Sequence, residues 1–261
     1  MTKESPFSET FTIEPERLIE NDFLLLRAKF KEFGYVKLHS LFDEVLFTQI
    51  VNDVEHISHK RTHRDFVMPG YETPRLLSVL GGSRIKQYST LLPSLYSNET
   101  LIKIISQIVE GKVFTIEHPE ECMVINFLEK SGGTHGWHLD DPKYALVMII
   151  KGSDVDDGGY LELIPNYAGF AKEKGLDPVK DANQLVNIAN DEGKIRKITH
   201  KTGECYLLNA SDCLHRVAPV KNDTNRTVIN FAFDNRANVD YGDTADFLYK
   251  DSEKVEETAD V

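Results

Sequence analysis

The chain has 261 residues, of which 41% are hydrophobic, enough for one substantial core and a single domain. A net charge of −12 and a pI near 5.2 argue against nucleic acid or an anionic membrane as the main partner. No apolar run nears the roughly 20 residues that span a bilayer; Met1–Pro6 lacks the apolar centre of a secretory signal; and Cys122, Cys205 and Cys213 show no C-x-x-C spacing. A reduced, cytoplasmic protein is expected.

The first fifth reads as helical, from Pro15 to Phe33 and from Leu41 to His56, with Gly34–Leu38 as a short strand between. Leu24, Ala28 and Phe30 carry the helical spacing of the first segment. Arg64 to Pro74 reads as a loop, Gly81-Gly82 as a breaker, and 88–110 as a helical pair ending at Gly111. From Val113 onward the pattern changes to short strands, at 112–117, 121–129, 136–140, 144–151, 159–164, 194–200, 204–209, 214–219 and 226–234. That density predicts a mainly β fold with flanking helices (α+β): a double-stranded β-helix, or cupin-like jelly roll, buttressed by the N-terminal helices. One domain is expected over 1–261, with 1–110 as helical support, 111–235 as the jelly-roll core and 236–261 as a C-terminal segment with an acidic tail after Tyr249. Residues 166–193 interrupt the strands as a candidate lid.

His138 and Asp140 form an H-x-D pair. Residues i and i+2 of a strand share a face, so both reach one metal ion. His215, in a later strand, completes two imidazoles and one carboxylate, the facial arrangement of non-haem Fe(II) oxygenases. Arg226 opens the last apolar strand, where Val228, Asn230 and Ala232 share its face. A guanidinium directed inward needs an anionic partner, and its fixed donors suit a carboxylate. Two core histidines and a surface arginine are the plainer reading, and the combined pattern outweighs it. His56, His59 and His63 lack an acidic or cysteine ligand and sit among Lys60, Arg61 and Arg64, so they read as a solvated helix end. Cys213 stands two residues from His215 and is read as a small buried residue.

Several longer matches sharpen this. Phe66–Arg75 (FVMPGYETPR), Leu77–Gly82 (LSVLGG), His118–Glu121 (HPEE) and Thr134–Pro142 (THGWHLDDP) resemble the radical halogenases of free amino acids and their hydroxylase relatives, within the Fe(II)/2-oxoglutarate dioxygenases. The resemblance runs from about residue 60 to 235. It implies iron on His138, Asp140 and His215, 2-oxoglutarate anchored by Arg226, O2 as co-substrate, and a small amino acid as substrate. In the halogenases the carboxylate position is a glycine, leaving room for chloride; Asp140 here implies hydroxylation. Carried over residue by residue, Arg75 would meet a substrate carboxylate and Glu121, His135 and Asp141 the polar ends, with Asn230 nearby. Lysine is the first substrate expected. Ala232 departs from the hydroxyl residue expected in a lysine-halogenating member, so no substrate contact is carried over to it. A peptide or other small-metabolite hydroxylase, a non-oxidative cupin isomerase and a metal-binding module remain as alternatives. A homodimer is compatible with the sequence.

Overall fold

The computed structural model describes residues 20–250, apart from Ser40, Asp223 and Asp243. The expected start of the first helix, residues 15–19, and the acidic tail from Asp251 onward lie outside the described residues.

Helix α1 (Glu20–Phe33) turns at Gly34 into β1 (Tyr35–Leu38). Its inward stripe is Phe23, Leu26 and Phe30; of the three residues expected to mark it, Phe30 is buried, whereas Leu24 and Ala28 face solvent. Helix α2 (Glu44–Ile57) begins where Asp43 accepts a hydrogen bond from the Leu46 N–H at 2.7 Å. After α3 (Gly82–Tyr88) and α4 (Leu91–Tyr96), helix α5 (Glu99–Val109) is capped by Asn98, which accepts from Thr100 and Leu101. Leu101, Ile104, Ile105 and Ile108 recur at helical spacing and are buried, each worth about 1.5–3 kcal/mol. Tyr96 ties this layer to the sheet, donating to the Ala232 carbonyl and accepting from the Ile116 N–H, both at 2.8 Å.

The segment read as a loop at Arg64–Pro74 is a hairpin, β2 (Thr62–Met68) paired with β3 (Thr73–Leu80). Polar residues alternate along β2 because one of its faces is solvated, which hid the strand in composition. The remaining strands are β4 (Phe114–Thr115), β5 (Met123–Leu128), β6 (Thr134–His138), β7 (Tyr144–Lys151), β8 (Leu161–Ile164), β9 (Arg196–Ile198), β10 (Cys205–Asn209), β11 (Leu214–Val217) and β12 (Arg226–Asp234). The order β1-β10-β7-β12-β5-β3-β6-β11-β8-β9 is antiparallel throughout. Strand β3 joins the two halves: Ser78–Leu80 pair with β5, whereas Arg75 and Leu76 pair with β6. This curled sheet is the expected jelly roll.

The inner phases of both halves face one another, and the helices cover the outside of β5, β7 and β12. Residues 166–193 form α6 (Tyr167–Lys174) and α7 (Ala182–Asp191), which pack through Tyr167, Phe170 and Leu185 onto Trp137, Ile164 and Leu214. Helix α8 (Thr244–Tyr249) follows the last strand.

Candidate active site

His138 ends β6 and lies directly across the ladder from His215 on β11, which sets their rings 4.2 Å apart. The strand expected over 136–140 stops at His138, and Asp140 lies just beyond it, its N–H donating to the Ala210 carbonyl. Asp140 therefore meets the histidines through a turn rather than through strand periodicity. Its Oδ1 is 3.3 Å from His138 Nε2 and 3.7 Å from His215 Nε2. The ring Nδ1 of each histidine is hydrogen-bonded to the carbonyl two residues upstream, Gly136 at 2.7 Å and Cys213 at 2.9 Å. That bond fixes the proton on Nδ1 and leaves the Nε2 lone pairs directed at Asp140. Among the described residues this is the one cluster with metal-ligand geometry, its ligand atoms within 4.8 Å of one another. Two neutral imidazoles and a carboxylate suit a divalent transition metal. His56 and His59 are solvated, as expected, and Cys213 turns away to pack under Gly34.

The cavity beside the triad is lined by Asn126, His135, Tyr206, Arg226, Asn230 and Tyr249, with apolar walls from Leu128, Leu161 and Val228. Arg226 is only 2% exposed, and neither of its terminal nitrogens has a hydrogen-bond partner. The Tyr206 hydroxyl approaches the guanidinium closely enough to interact with it, while Nη1 and Nη2 remain without an acceptor. The stem of Arg226 passes Gly159, whose φ is +67°; a Cβ there would stand 3.1 Å from Arg226 Cδ. A buried cation whose two terminal nitrogens lack an acceptor fits an anionic ligand. Ala232, expected on the same face, packs in the helix-side core.

Arg75 lies opposite His135 across the β3–β6 ladder and is equally buried, with Nη1 donating to Thr73 Oγ1 at 3.0 Å and Nε unpartnered. His135 stacks on His138 at 4.1 Å, and its Nε2 has no partner. Glu121 precedes β5 with Oε2 buried and unpartnered; burial, then the charges of Asp140 and Asp141, push its carboxyl up to about 9. Asn126 and Asn230 each leave Oδ1 without a donor. Asp141 is exposed and turns toward Thr244 of α8; Arg75 and Glu121 also stand outside the cavity lining, within electrostatic reach of Asp140. No residue of 166–193 lines the cavity.

Asn126, Tyr206 and Tyr249 were missed in the sequence. Asn126 left a signal, a polar residue on the inward phase of the apolar run Met123–Leu128. Tyr249 left none, because the end of a short helix reaches the site only through tertiary docking. Arg64 donates from Nε to the Leu248 carbonyl at 2.7 Å and from Nη2 to the Lys250 carbonyl at 2.6 Å. Phe66 and Phe247 meet edge to face at 5.0 Å. These contacts lay α8 against β2 and bring Tyr249 over the cavity.

A family model described as Halogenase D matches residues 19–250. The chain belongs to the halogenase D family. With it comes membership of the iron- and 2-oxoglutarate-dependent oxygenases, and the chain is an oxidoreductase that uses both. Curated proteins give no match. Among solved structures, the alpha ketoglutarate dependent epimerase SnoN of nogalamycin biosynthesis is similar at TM-score 0.63 and 10% identity, over 82% of this chain and 80% of that one. A prolyl hydroxylase from Trichoplax adhaerens, solved with a hypoxia inducible factor peptide, aligns at TM-score 0.59 and 14% identity over 87% and 94%. EctD from S. alaskensis, solved with bound Fe, aligns at 0.55 and 15% over 80% and 75%. These three share the fold. No helix among the described residues is long and apolar enough to cross a membrane.

Three buried histidines of this family member are held neutral. Burial, then Arg226 and Lys37, lowers His200 to about 2; burial, then His138, lowers His215 to about 4; burial, then His138 and Arg75, takes His135 well below its usual value. Unfolded histidine takes up a proton near pH 6.5, so below that pH the unfolded state binds more protons than the fold. Stability therefore falls as pH drops from about 6.5 toward 4, by about 1.4 kcal/mol per pH unit for each histidine. Melting of the metal-free protein should show this slope, and a flat profile across that window would contradict the neutral histidines.

Proposed function

We propose that this enzyme hydroxylates an unactivated C–H bond of a free amino acid, with lysine the first choice. The observation that supports it is the set of buried polar atoms left without partners around one metal triad: Arg75 Nε, Glu121 Oε2, Asn126 Oδ1, His135 Nε2 and Asn230 Oδ1. A zwitterion with a side-chain ammonium brings both signs of charge and satisfies donors and acceptors together. An apolar substrate would leave each of these atoms desolvated at about 1–3 kcal/mol apiece.

His138, Asp140 and His215 would hold the iron, and Arg226 the far carboxylate of 2-oxoglutarate. Fe(II) with 2-oxoglutarate and O2 supplies the oxidation, giving succinate, CO2 and a product carrying one added oxygen. The chain's own residues do the rest. Asp140 occupies the position that an exogenous halide would need, which favours hydroxyl transfer over halogenation. Arg75 and His135 orient the substrate carboxylate, while Glu121, Asn126 and Asn230 take the ammonium ends. Tyr249 covers the site against bulk water and is the closing element, in preference to 166–193.

The test is a panel of free amino acids with Fe(II), 2-oxoglutarate and O2, followed by mass spectrometry. Succinate formed in step with a basic amino acid heavier by one oxygen is expected. Succinate without product from any free amino acid would overturn the substrate class. Within this reading, the substrate ammonium draws the proton from the Glu121 carboxyl, which burial and its acidic neighbours keep protonated in the empty site, and Glu121→Gln keeps the shape but cannot ionise. It should raise KM for the amino acid about tenfold or more while KM for 2-oxoglutarate stays constant.

A further inference from the structure

Tyr206 lies in β10 with its ring in the wall of the cavity that holds Arg226, and only 4% of it is exposed. Behind it stands a layer with no part in metal binding. His200, in the turn after β9, stacks on the Tyr206 ring at 4.5 Å with 28° between planes. Tyr35 of β1 packs on Tyr206 at 5.5 Å, and its hydroxyl is hydrogen-bonded to His200 Nε2 at 2.8 Å. His200 is 6% exposed and sits outside the cavity lining, with its Nδ1 buried and unpartnered. A buried imidazole with one of its two ring nitrogens unsatisfied is costly, and an aliphatic side chain would fill the space without that cost. What the imidazole offers instead is a flat ring tethered at one edge, which restricts rotation of the phenol it stacks on.

We infer that His200 is a positioning residue for the cosubstrate: tethered by Tyr35, it fixes the Tyr206 phenol so that its hydroxyl donates, beside Arg226, to the far carboxylate of 2-oxoglutarate. The guanidinium carries the charge recognition and the phenol the direction, since one fixed donor beside a fork selects a single carboxylate orientation. The inference rests on the assignment of Arg226 to that carboxylate.

Two cosubstrates separate positioning from mere structure. 2-Oxoglutarate and 2-oxobutyrate share the chelating 2-oxo acid, and only the first carries the far carboxylate. Their dissociation constants are measured by calorimetry on the Fe(II)-loaded protein without O2, for wild type, Tyr206→Phe, His200→Phe, His200→Gln and Arg226→Ala. Tyr206→Phe should weaken 2-oxoglutarate about tenfold and leave 2-oxobutyrate unchanged, the loss of one hydrogen bond to a charged group. His200→Phe and His200→Gln should each weaken 2-oxoglutarate about three- to tenfold, again without effect on 2-oxobutyrate. A variant whose melting shows it unfolded is replaced by Tyr35→Phe, which removes the tether alone and should give the same selective loss. Equal losses for both ligands, or no loss for either, would overturn the positioning role. Arg226→Ala tells the two readings apart: if it too fails to discriminate the ligands, the carboxylate assignment itself falls, and if it alone discriminates, only the role of His200 and Tyr206 falls.

Discussion

Replacing Asp140 with alanine is expected to abolish product formation. Asp140 supplies the only negative charge among the three candidate ligand residues, and its carboxylate is kept below the usual range even though burial works the other way. The close approach of the His138 and His215 rings and the charge of Arg75 outweigh that burial. Without the carboxylate, two neutral imidazoles face a doubly charged ion in a partly dry site. Outer partners of metal sites already cost about 10–100-fold when removed, so loss of an anionic ligand should exceed that. The measurement is bound iron per chain together with hydroxylated product. Wild-type levels of both would remove Asp140 from the site. Asp140→Gly assayed in chloride adds a second readout: a chlorinated product would show that the vacated position alone redirects the transferred atom.

Arg226→Ala should act on a different constant. The apparent KM for 2-oxoglutarate is expected to rise about 10²–10³-fold, the loss of two charge-assisted hydrogen bonds, while KM for the amino acid moves little. An equal rise in both would count against the assignment. The same variant should melt no lower than wild type in the absence of cosubstrate. A desolvated cation with two unpartnered nitrogens destabilises the ligand-free fold, so its removal costs little. Loss of function joined to unchanged or raised stability would mark Arg226 as a residue retained for binding.

The features of the chain that were legible in its sequence share a physical character. Strands β7 and β12 are uninterrupted apolar or alternating runs, and their observed limits match the expected ones. The candidate metal residues were legible through their types: His138 and Asp140 stand two apart in the chain, and His215 lies on a strand that pairs with β6. The β2–β3 hairpin was missed because Thr62–Met68 is solvated on one face and rich in charge, which composition alone assigns to a loop. Asp140 does lie beside the two histidines, but not by strand alternation: the turn after β6 that brings it there carries a hydrogen bond to Ala210, 70 residues away. Tyr206 and Tyr249 depend wholly on long-range packing, and no local pattern separates them from other buried tyrosines. Arg75 was reached through resemblance, and its pairing with His135 gives that placement a geometric basis.

The carbonyl tethers on His138 and His215 have one more consequence. Both donors point at the metal position before any ion arrives, and the strands beneath them are held by ladder bonds that owe nothing to the metal. Iron should therefore come and go like a key in a finished lock, stripped by a chelator and restored by Fe(II) while the amide and aromatic circular dichroism of the chain stays native throughout.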